Sequence, residues 1–463
     1  MGFLKENKIN LLIIFLWAFI VIFTMCHHEI WRDEAQAWCI VRDCNFFEII
    51  NKVRIEAHPL LWYILLFPIA KCHLPVEFMQ IVSFLFVLTS VVFFVLKSPF
   101  NSFIKILVVF SSGMLYFLPV VARNYSLIPL FLFLLAYFYK KRTDKPLIYT
   151  IIIIFLMNTH GLMFGFCSLL SVLFLCDVIK EIKKTNNYSY LVYPLILIIN
   201  LLLLFLFLNV SLTDNHVINH YSQTNNFSLV QQLKNFALLY FNYPLHKFRI
   251  INIFIFYISI FCVLFVLIKK DKKLFLLLFS SLIFIFYVYS KVWFSGIPYQ
   301  KAYTLLLIIL FCSWVLREKY RSKALSFLIA ILFLTSFIPS YSVIRNEIIN
   351  EFSASKQVAK YIKNNINDEN IFIAVGYPST FTGISAYLPD KKFFSYLNNY
   401  YISYYDFDVN EPILQEKEPD SKYFIVQSNF IMNDDLKKIF TADKRVLSGT
   451  EQQESFSIYQ RIP

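Results

Sequence analysis

The chain has 463 residues, of which 58% are hydrophobic and only 16% carry a charge. A helix needs about 20 apolar residues to cross a bilayer, and the many runs of that kind exclude an ordinary soluble domain and predict a polytopic α-helical membrane protein. The formal net charge of +13 does not indicate nucleic-acid binding. The Lys and Arg residues stand mostly in short clusters between apolar runs, where they report the orientation of a chain in its bilayer.

The basic clusters predict the topology. The first apolar run, Asn10 to Met25, follows Lys5 and Lys8 and has no small-residue cleavage site, so we expect a retained signal anchor whose amino terminus is inside. The later clusters belong inside by the positive-inside rule; they are Lys97 with Lys105, Lys140 to Lys145, Lys180 to Lys184, Lys269 to Lys273 and Arg317 to Lys323.

Apolar segments between these clusters predict about eleven transmembrane helices. The spans are expected near residues 10–26, 77–97, 102–121, 125–140, 146–160, 162–180, 189–209, 250–269, 273–290, 300–316 and 324–341. Residues 1–344 therefore form a predicted transmembrane domain whose first outer loop is 27–76. Within that loop, Leu60 to Ala70 is too short to span and is expected to be a juxtamembrane helix in the outer leaflet.

An odd number of crossings places residues 345–463 outside, where the composition changes to that of a soluble domain. The pattern predicts a small extracytoplasmic α/β domain. We expect helices at Ser353 to Asn364 and Asp434 to Ile439, and strands at Ile371 to Val375, Lys392 to Tyr396 and Tyr423 to Val426.

The same topology gathers polar residues on the outer face of the membrane. They are Asp33, Glu34, Glu56 and His58 in the first loop, Arg123, Asn124 and Tyr125, then Asn158 and His160, and finally Lys291, Gln300 and Lys301. A carboxylate that takes a proton and cations that hold a departing phosphate are the parts needed to move a group from an anionic lipid carrier to an acceptor.

Four cysteines, Cys26, Cys39, Cys44 and Cys72, are expected on the outer side or at its membrane boundary. One disulfide among them is an alternative to free thiols, and free thiols are the favoured interpretation because spacing alone gives no pairing.

Four motifs together resemble the GT-C membrane glycosyltransferases, in particular the branch of the protein O-mannosyltransferases and the lipid A aminoarabinose transferases. These motifs are Asp33-Glu34, the stretch Glu56 to Tyr63, Arg123 to Leu127 and Asn158-Thr159-His160, and they run from the first loop to about the sixth span. The chain departs from the family's His-Pro-Pro and Arg-Pro-Tyr patterns at Leu60 and Asn124.

The resemblance implies a multi-span enzyme with juxtamembrane helices in its first outer loop and a polyprenyl-phosphate sugar as donor. It maps the catalytic acidic pair onto Asp33, as probable general base, and Glu34. The expected substrate-binding residues are Glu56, His58, Arg123, Tyr125, His160 and Lys301. Because some GT-C enzymes use a divalent metal ion, Asp33, Glu34 or His160 are also candidate ligands for one.

Simpler interpretations stand beside these. Glu34 is also explained by a salt bridge to Arg32 or Arg42, His58 by capping of the following helix, and Arg123 and Lys301 by snorkelling. The rival functions are a lipid or polysaccharide transporter or flippase, and a non-catalytic envelope-assembly protein. Within the enzyme class, a glycan, a lipid and a protein all remain open as the acceptor at a bacterial-type plasma membrane.

Overall fold

The computed structural model describes residues 2–209, 233, 249–292, 299–320, 322–366, 368–407, 416–430, 435–442 and 454–462. Helices form most of it, as the long apolar runs predict. In chain order the described α-helices are α1 (Gly2–Met25), α2 (Arg32–Asp43), α3 (Phe46–Ile55), α4 (Leu61–Lys71), α5 (Phe78–Lys97), α6 (Ser102–Val109), α7 (Ile128–Phe138), α8 (Pro146–Met157), α9 (Met163–Thr185), α10 (Val192–Leu208), α11 (Arg249–Lys270), α12 (Lys272–Val292), α13 (Tyr299–Arg317), α14 (Lys323–Phe337), α15 (Ser340–Ile349), α16 (Ser355–Asn365) and α17 (Thr382–Tyr387).

Five helical stretches in the described residues are long and apolar enough to cross a membrane. They are Asn7–Met25, Phe78–Lys97, Met163–Thr185, Tyr188–Leu208 and Lys323–Ile349. The fold is therefore that of a helical membrane protein with a small sheet domain. The finer count of eleven crossings stays a prediction.

The segment predicted as one span at 102–121 is broken. Helix α6 ends at Val109, and a single π-helical turn follows at Gly113–Phe117. The Ser111 hydroxyl donates to the carbonyl of Val108 and lies 2.7 Å from the Tyr303 hydroxyl. A Cβ atom on Gly113 would lie 2.4 Å from the Tyr303 ring. A close ring contact and a serine bonding to its own backbone thus interrupt the helix.

The chain divides into two compact units. The first consists of Met1–Ile22, Ala57–Leu61 and Ser83–Val343, and the second of Phe23–Glu56, Trp62–Val82 and Ile344–Pro463. The predicted outer loop and the predicted carboxyl-terminal domain therefore both contribute to the second unit. In the first unit, the fully buried Trp314 packs against the rings of Phe93, Phe94 and Phe133.

The second unit contains a six-stranded sheet of order β3-β2-β1-β4-β6-β5. The strands are β1 (Ile371–Val375), β2 (Lys392–Ser395), β3 (Tyr400–Ile402), β4 (Tyr423–Gln427), β5 (Leu436–Thr441) and β6 (Phe456–Arg461). β1 is parallel to both of its neighbours, β2 and β4, whereas the other pairs are antiparallel. β1 lies in the middle of the sheet. Its sequence is a continuous apolar run, which is typical of a strand covered on both faces.

The three strands predicted in this region are confirmed, but the helix predicted near residues 434–439 is wrong. Leu436 to Thr441 forms the edge strand β5, which pairs with β6. Local pattern favoured a helix because Lys437 and Lys438 are good helix formers. Pairing with β6, a strand that the sequence analysis missed, decided the conformation, and paired lysines are typical of an exposed sheet edge.

Candidate functional site

The predicted catalytic pair lies in the first turn of helix α2 in the second unit, where its two members have different surroundings. The Glu34 side chain is completely buried, whereas that of Asp33 is 41% exposed. Oε2 of Glu34 accepts from the backbone N–H of Trp31 at 3.3 Å, which caps the helix start. Asp33 Oδ1 lies 3.6 Å from Nε of Arg32. Glu34 therefore has a structural position, and Asp33 is the member that solvent or a substrate can reach.

Glu34 pairs with His28, a residue that the sequence interpretation of a salt bridge to Arg32 or Arg42 did not include. Nε2 of His28 lies 3.0 Å from Glu34 Oε2, and Nδ1 lies 2.7 Å from Glu347 Oε1. All three side chains have no exposed surface. Burial acts to lower the pKa of His28, but the charges of the two carboxylates and their hydrogen bonds outweigh it and raise the pKa to about 10. The imidazolium therefore donates from both ring nitrogens.

Sequence reasoning missed His28 and Glu347 as site residues. One feature of the sequence could have indicated them. An ionisable residue at the edge of an apolar segment is energetically unfavourable unless it has a partner of opposite charge. His28 follows the first apolar run, and Glu347 ends the last one.

Two further carboxylates support the start of α2. Glu29 accepts from the backbone N–H of Phe352 at 2.8 Å, and Glu454 accepts from the backbone N–H of Arg32 at 3.2 Å and from the Ser353 hydroxyl at 2.5 Å. Burial raises the pKa of each carboxyl to about 7. The turn that carries Asp33 is thus tied on several sides to the segment that follows α15.

Glu56 caps the end of α3, and its carboxylate oxygens accept hydrogen bonds from two neighbouring elements. Oε1 accepts from the Gln36 amide and Oε2 from the Tyr63 hydroxyl, both at 2.7 Å. Gln36 lies on α2, so Glu56 connects that helix to α3 and α4. This arrangement gives Glu56 a supporting role within the second unit.

The buried His160 is the centre of a cluster in the first unit that also contains His58, Arg123 and Tyr125. Its ring centroid lies 4.7 Å from that of Tyr125 and 6.1 Å from that of His58. The Arg123 guanidinium lies 6.0 Å from the centre of the Tyr125 ring, within cation–π range. The Asn124 amide donates to the carbonyl of Thr159 at 2.9 Å and so links the turn that carries Arg123 and Tyr125 to the residue before His160.

The electrostatics of this cluster favour a bound anion. Lys301 and Arg123 bring positive charge to the surroundings of the buried His160 ring, and the His58 ring lies edge-on to it. Nδ1 of His160 accepts from the backbone N–H of Leu162 at 3.0 Å, so the neutral ring carries its proton on Nε2 as a donor. Cations that make a further positive charge unfavourable at one place make a negative charge favourable there.

A metal site is not apparent in the described part of the chain, which contains no group of three or more His, Cys, Asp or Glu side chains arranged to hold an ion. A divalent ion at Asp33, Glu34 or His160 therefore stays a hypothesis. The eight cysteines, all in described segments, are free thiols in this structure.

Comparison with known proteins gives no further guide to function, because no family model and no curated protein sequence matches the chain. The proposed function therefore rests on the geometry around Asp33 and around His160.

Proposed function

We propose that this chain is an integral membrane glycosyltransferase of the GT-C type in a bacterial-type plasma membrane. It transfers a sugar from a polyprenyl-phosphate donor to an extracytoplasmic glycan, lipid or protein. In this proposal about eleven helices cross the bilayer, and residues 27–76 and 345–463 lie outside. The acidic pair and the cluster around His160 then act on the extracytoplasmic side.

The observation that carries the proposal is the positive field around His160. Arg123 and Lys301 place positive charge near one buried imidazole. A phosphate linked to a lipid is the anion that a membrane-embedded group of this kind would meet. Arg123 suits it because a guanidinium matches phosphate oxygens with two parallel donors.

The proposed reaction assigns the base to Asp33. Its carboxylate takes the proton from an acceptor hydroxyl as that oxygen forms a bond to the anomeric carbon of the sugar. The bond between the anomeric carbon and the phosphate oxygen breaks, and the electron pair leaves with the polyprenyl phosphate, where cations stabilise the charge. The exposure of Asp33, beside the buried Glu34, supports this choice of base.

Mass spectrometry of envelope glycans and lipids, with and without the protein, tests the proposal directly. We expect one glycan, lipid or glycoprotein species to lose a single sugar in the absence of the chain, and the same loss with Asp33→Asn. A translocated but chemically unchanged lipid-linked sugar would instead identify a flippase. An unchanged profile, with the purified protein inert toward every polyprenyl-phosphate sugar, would overturn the assignment.

A further inference from the structure

A cleft of about 380 Å³ lies at the edge of the sheet in the second unit, lined by Tyr377, Pro378, Ser379, Leu397, Asn398 and Tyr405. It sits where the chain leaves β1 and its parallel neighbour β2. Open α/β sheets bind ligands outside the carboxyl ends of their parallel strands, and the lining residues Tyr377 and Leu397 follow the carboxyl ends of β1 and β2. The volume falls within the range of about 300–1,000 Å³ that is usual for small-molecule sites.

One wall of the cleft is fixed by the turn after β1. Gly376 has a φ of +151°, and a Cβ atom there would lie 2.7 Å from Gln427. The Tyr377 N–H donates to Oε1 of Gln427 at 3.1 Å, and the Tyr377 ring packs edge-to-face on Phe430, with centroids 5.7 Å apart. A glycine-dependent turn therefore presents the Tyr377 ring in a defined orientation.

The opposite wall is held by helix α2. The Gln36 amide donates to the carbonyl of Tyr405 at 2.6 Å and accepts from its N–H at 2.8 Å. Gln36 follows Asp33 by three positions on the same helix, and residues at this spacing share a face with their Cβ atoms about 5–6 Å apart. The residue that fixes Tyr405 is thus the helical neighbour of the proposed base.

The chemistry of the lining selects a class of ligand. No Lys, Arg, Asp or Glu is present among the described residues that line the cleft, so a phosphate or another strongly charged group would find no oppositely charged partner there. Two phenol rings, a proline and a leucine offer apolar faces, whereas Ser379, Asn398 and the tyrosine hydroxyls offer donors and acceptors. A pyranose ring has this same combination, with C–H faces and hydroxyl edges.

We propose that this cleft binds a neutral pyranose unit of a glycan acceptor. The acceptor role rests on the proposed glycosyltransferase function, whereas binding of the sugar is a property of the cleft alone. The assignment narrows the acceptor from glycan, lipid or protein to a glycan whose sugar ring docks in a cleft with one wall held by Gln36, three positions after Asp33.

Saturation-transfer NMR on the full-length protein in detergent tests the binding without any donor. The probes are the methyl glycosides of glucose, galactose, mannose and N-acetylglucosamine, with a neutral tetrapeptide as the comparison. We expect transfer to the ring C–H protons of at least one glycoside, and a loss of affinity of roughly 3- to 10-fold in Tyr377→Ala, the scale of one aromatic contact.

A matched control is Tyr396→Ala, because Tyr396 is 47% exposed, close to the 45% of Tyr377, and does not line the cleft. This control should bind like the wild type. Asn398→Ala is a second variant in the lining and is expected to weaken the same signal if Tyr377→Ala fails to fold.

Equal transfer in wild type, Tyr377→Ala and Asn398→Ala would overturn the cleft assignment, as would transfer to the peptide alone or to none of the probes. The outcome is separable from that of the proposed function. If the protein binds a sugar through Tyr377 but uses no donor, the cleft assignment stands and the glycosyltransferase proposal is wrong. If it uses a donor but shows no such binding, the glycosyltransferase proposal stands and the cleft assignment is wrong.

Discussion

Nδ1 of His28 lies 2.7 Å from Oε1 of Glu347, although 319 positions separate the two residues in sequence. The other ring nitrogen lies 3.0 Å from Glu34, so one buried imidazolium joins the start of α2 to the end of α15. The contacts on both sides of the ring favour the protonated form of His28.

The stability of the protein should therefore fall in alkaline solution. The pKa of His28 rises from 6.5 in the unfolded chain to about 10 in the folded one, so its contribution is fully present below pH 6.5 and is lost as the pH climbs to about 10. Thermal unfolding in detergent, followed from pH 6 to 10.5, should show a declining midpoint. His28→Gln should start lower and decline less than the wild type, because the remaining fall comes from other groups such as Glu29 and Glu454. A wild-type midpoint that is constant across the window would contradict the charged triad.

Removal of the Glu347 carboxylate should strongly lower the free energy of unfolding. Deleting one partner of a buried ion pair costs about 3–5 kcal/mol, because the remaining charge is left without compensation. We expect Glu347→Ala to lower the free energy of unfolding by that amount. Glu347→Gln, which keeps a hydrogen-bond acceptor but no charge, should cost less. The matched control is Glu48→Ala at an exposed helix start, where only the cost of a lost cap, about 1 kcal/mol, is expected.

Substitution of Asp33 should reduce activity, whereas substitution of Glu34 should reduce stability. Asp33→Asn removes a partly exposed carboxylate, so we expect loss of transfer with an unfolding midpoint close to that of the wild type. Glu34→Gln breaks the charge pair with His28 and should lower the midpoint. The measurements are turnover of a polyprenyl-phosphate sugar and thermal unfolding of the same preparations. Normal turnover by folded Asp33→Asn would remove this residue from the reaction.

Arg123 should govern donor affinity. A hydrogen bond to a charged group contributes about 1.5–3 kcal/mol, so Arg123→Ala should weaken apparent donor binding by that range. Arg123→Lys should recover part of it, because an ammonium is a point charge without the planar fork. Titration of the donor into both variants gives the two values. An unchanged affinity in Arg123→Ala would reduce this residue to a snorkelling anchor.

The topology can be tested with single cysteines in a background that lacks the native thiols. Asn45 and Lys184 are both exposed, and the charge clusters place them on opposite sides of the membrane. We expect a membrane-impermeant thiol reagent to label Asn45→Cys in intact cells and Lys184→Cys only after lysis. Labelling of both in intact cells would break the predicted alternation.

Sequence reasoning worked where a single local property decided the outcome. Long apolar runs gave the helices, and the apolar stretch Ile371 to Val375 gave the central strand, because neither depends on remote partners. β5 was mistaken for a helix, since its strand partner β6 lies in a later segment. His28 was missed for the same reason, because its pairing with Glu347 is a tertiary contact that no local pattern encodes.

Gln36 is hydrogen-bonded to the backbone N–H and carbonyl of residue 405, the same groups that a neighbouring β-strand would bind. Any amino acid except proline supplies both groups, so the side chain at this position can change without loosening the wall of the cleft. If the cleft binds a sugar as proposed, a substitution at position 405 should change its lining and leave the fold beside Asp33 the same.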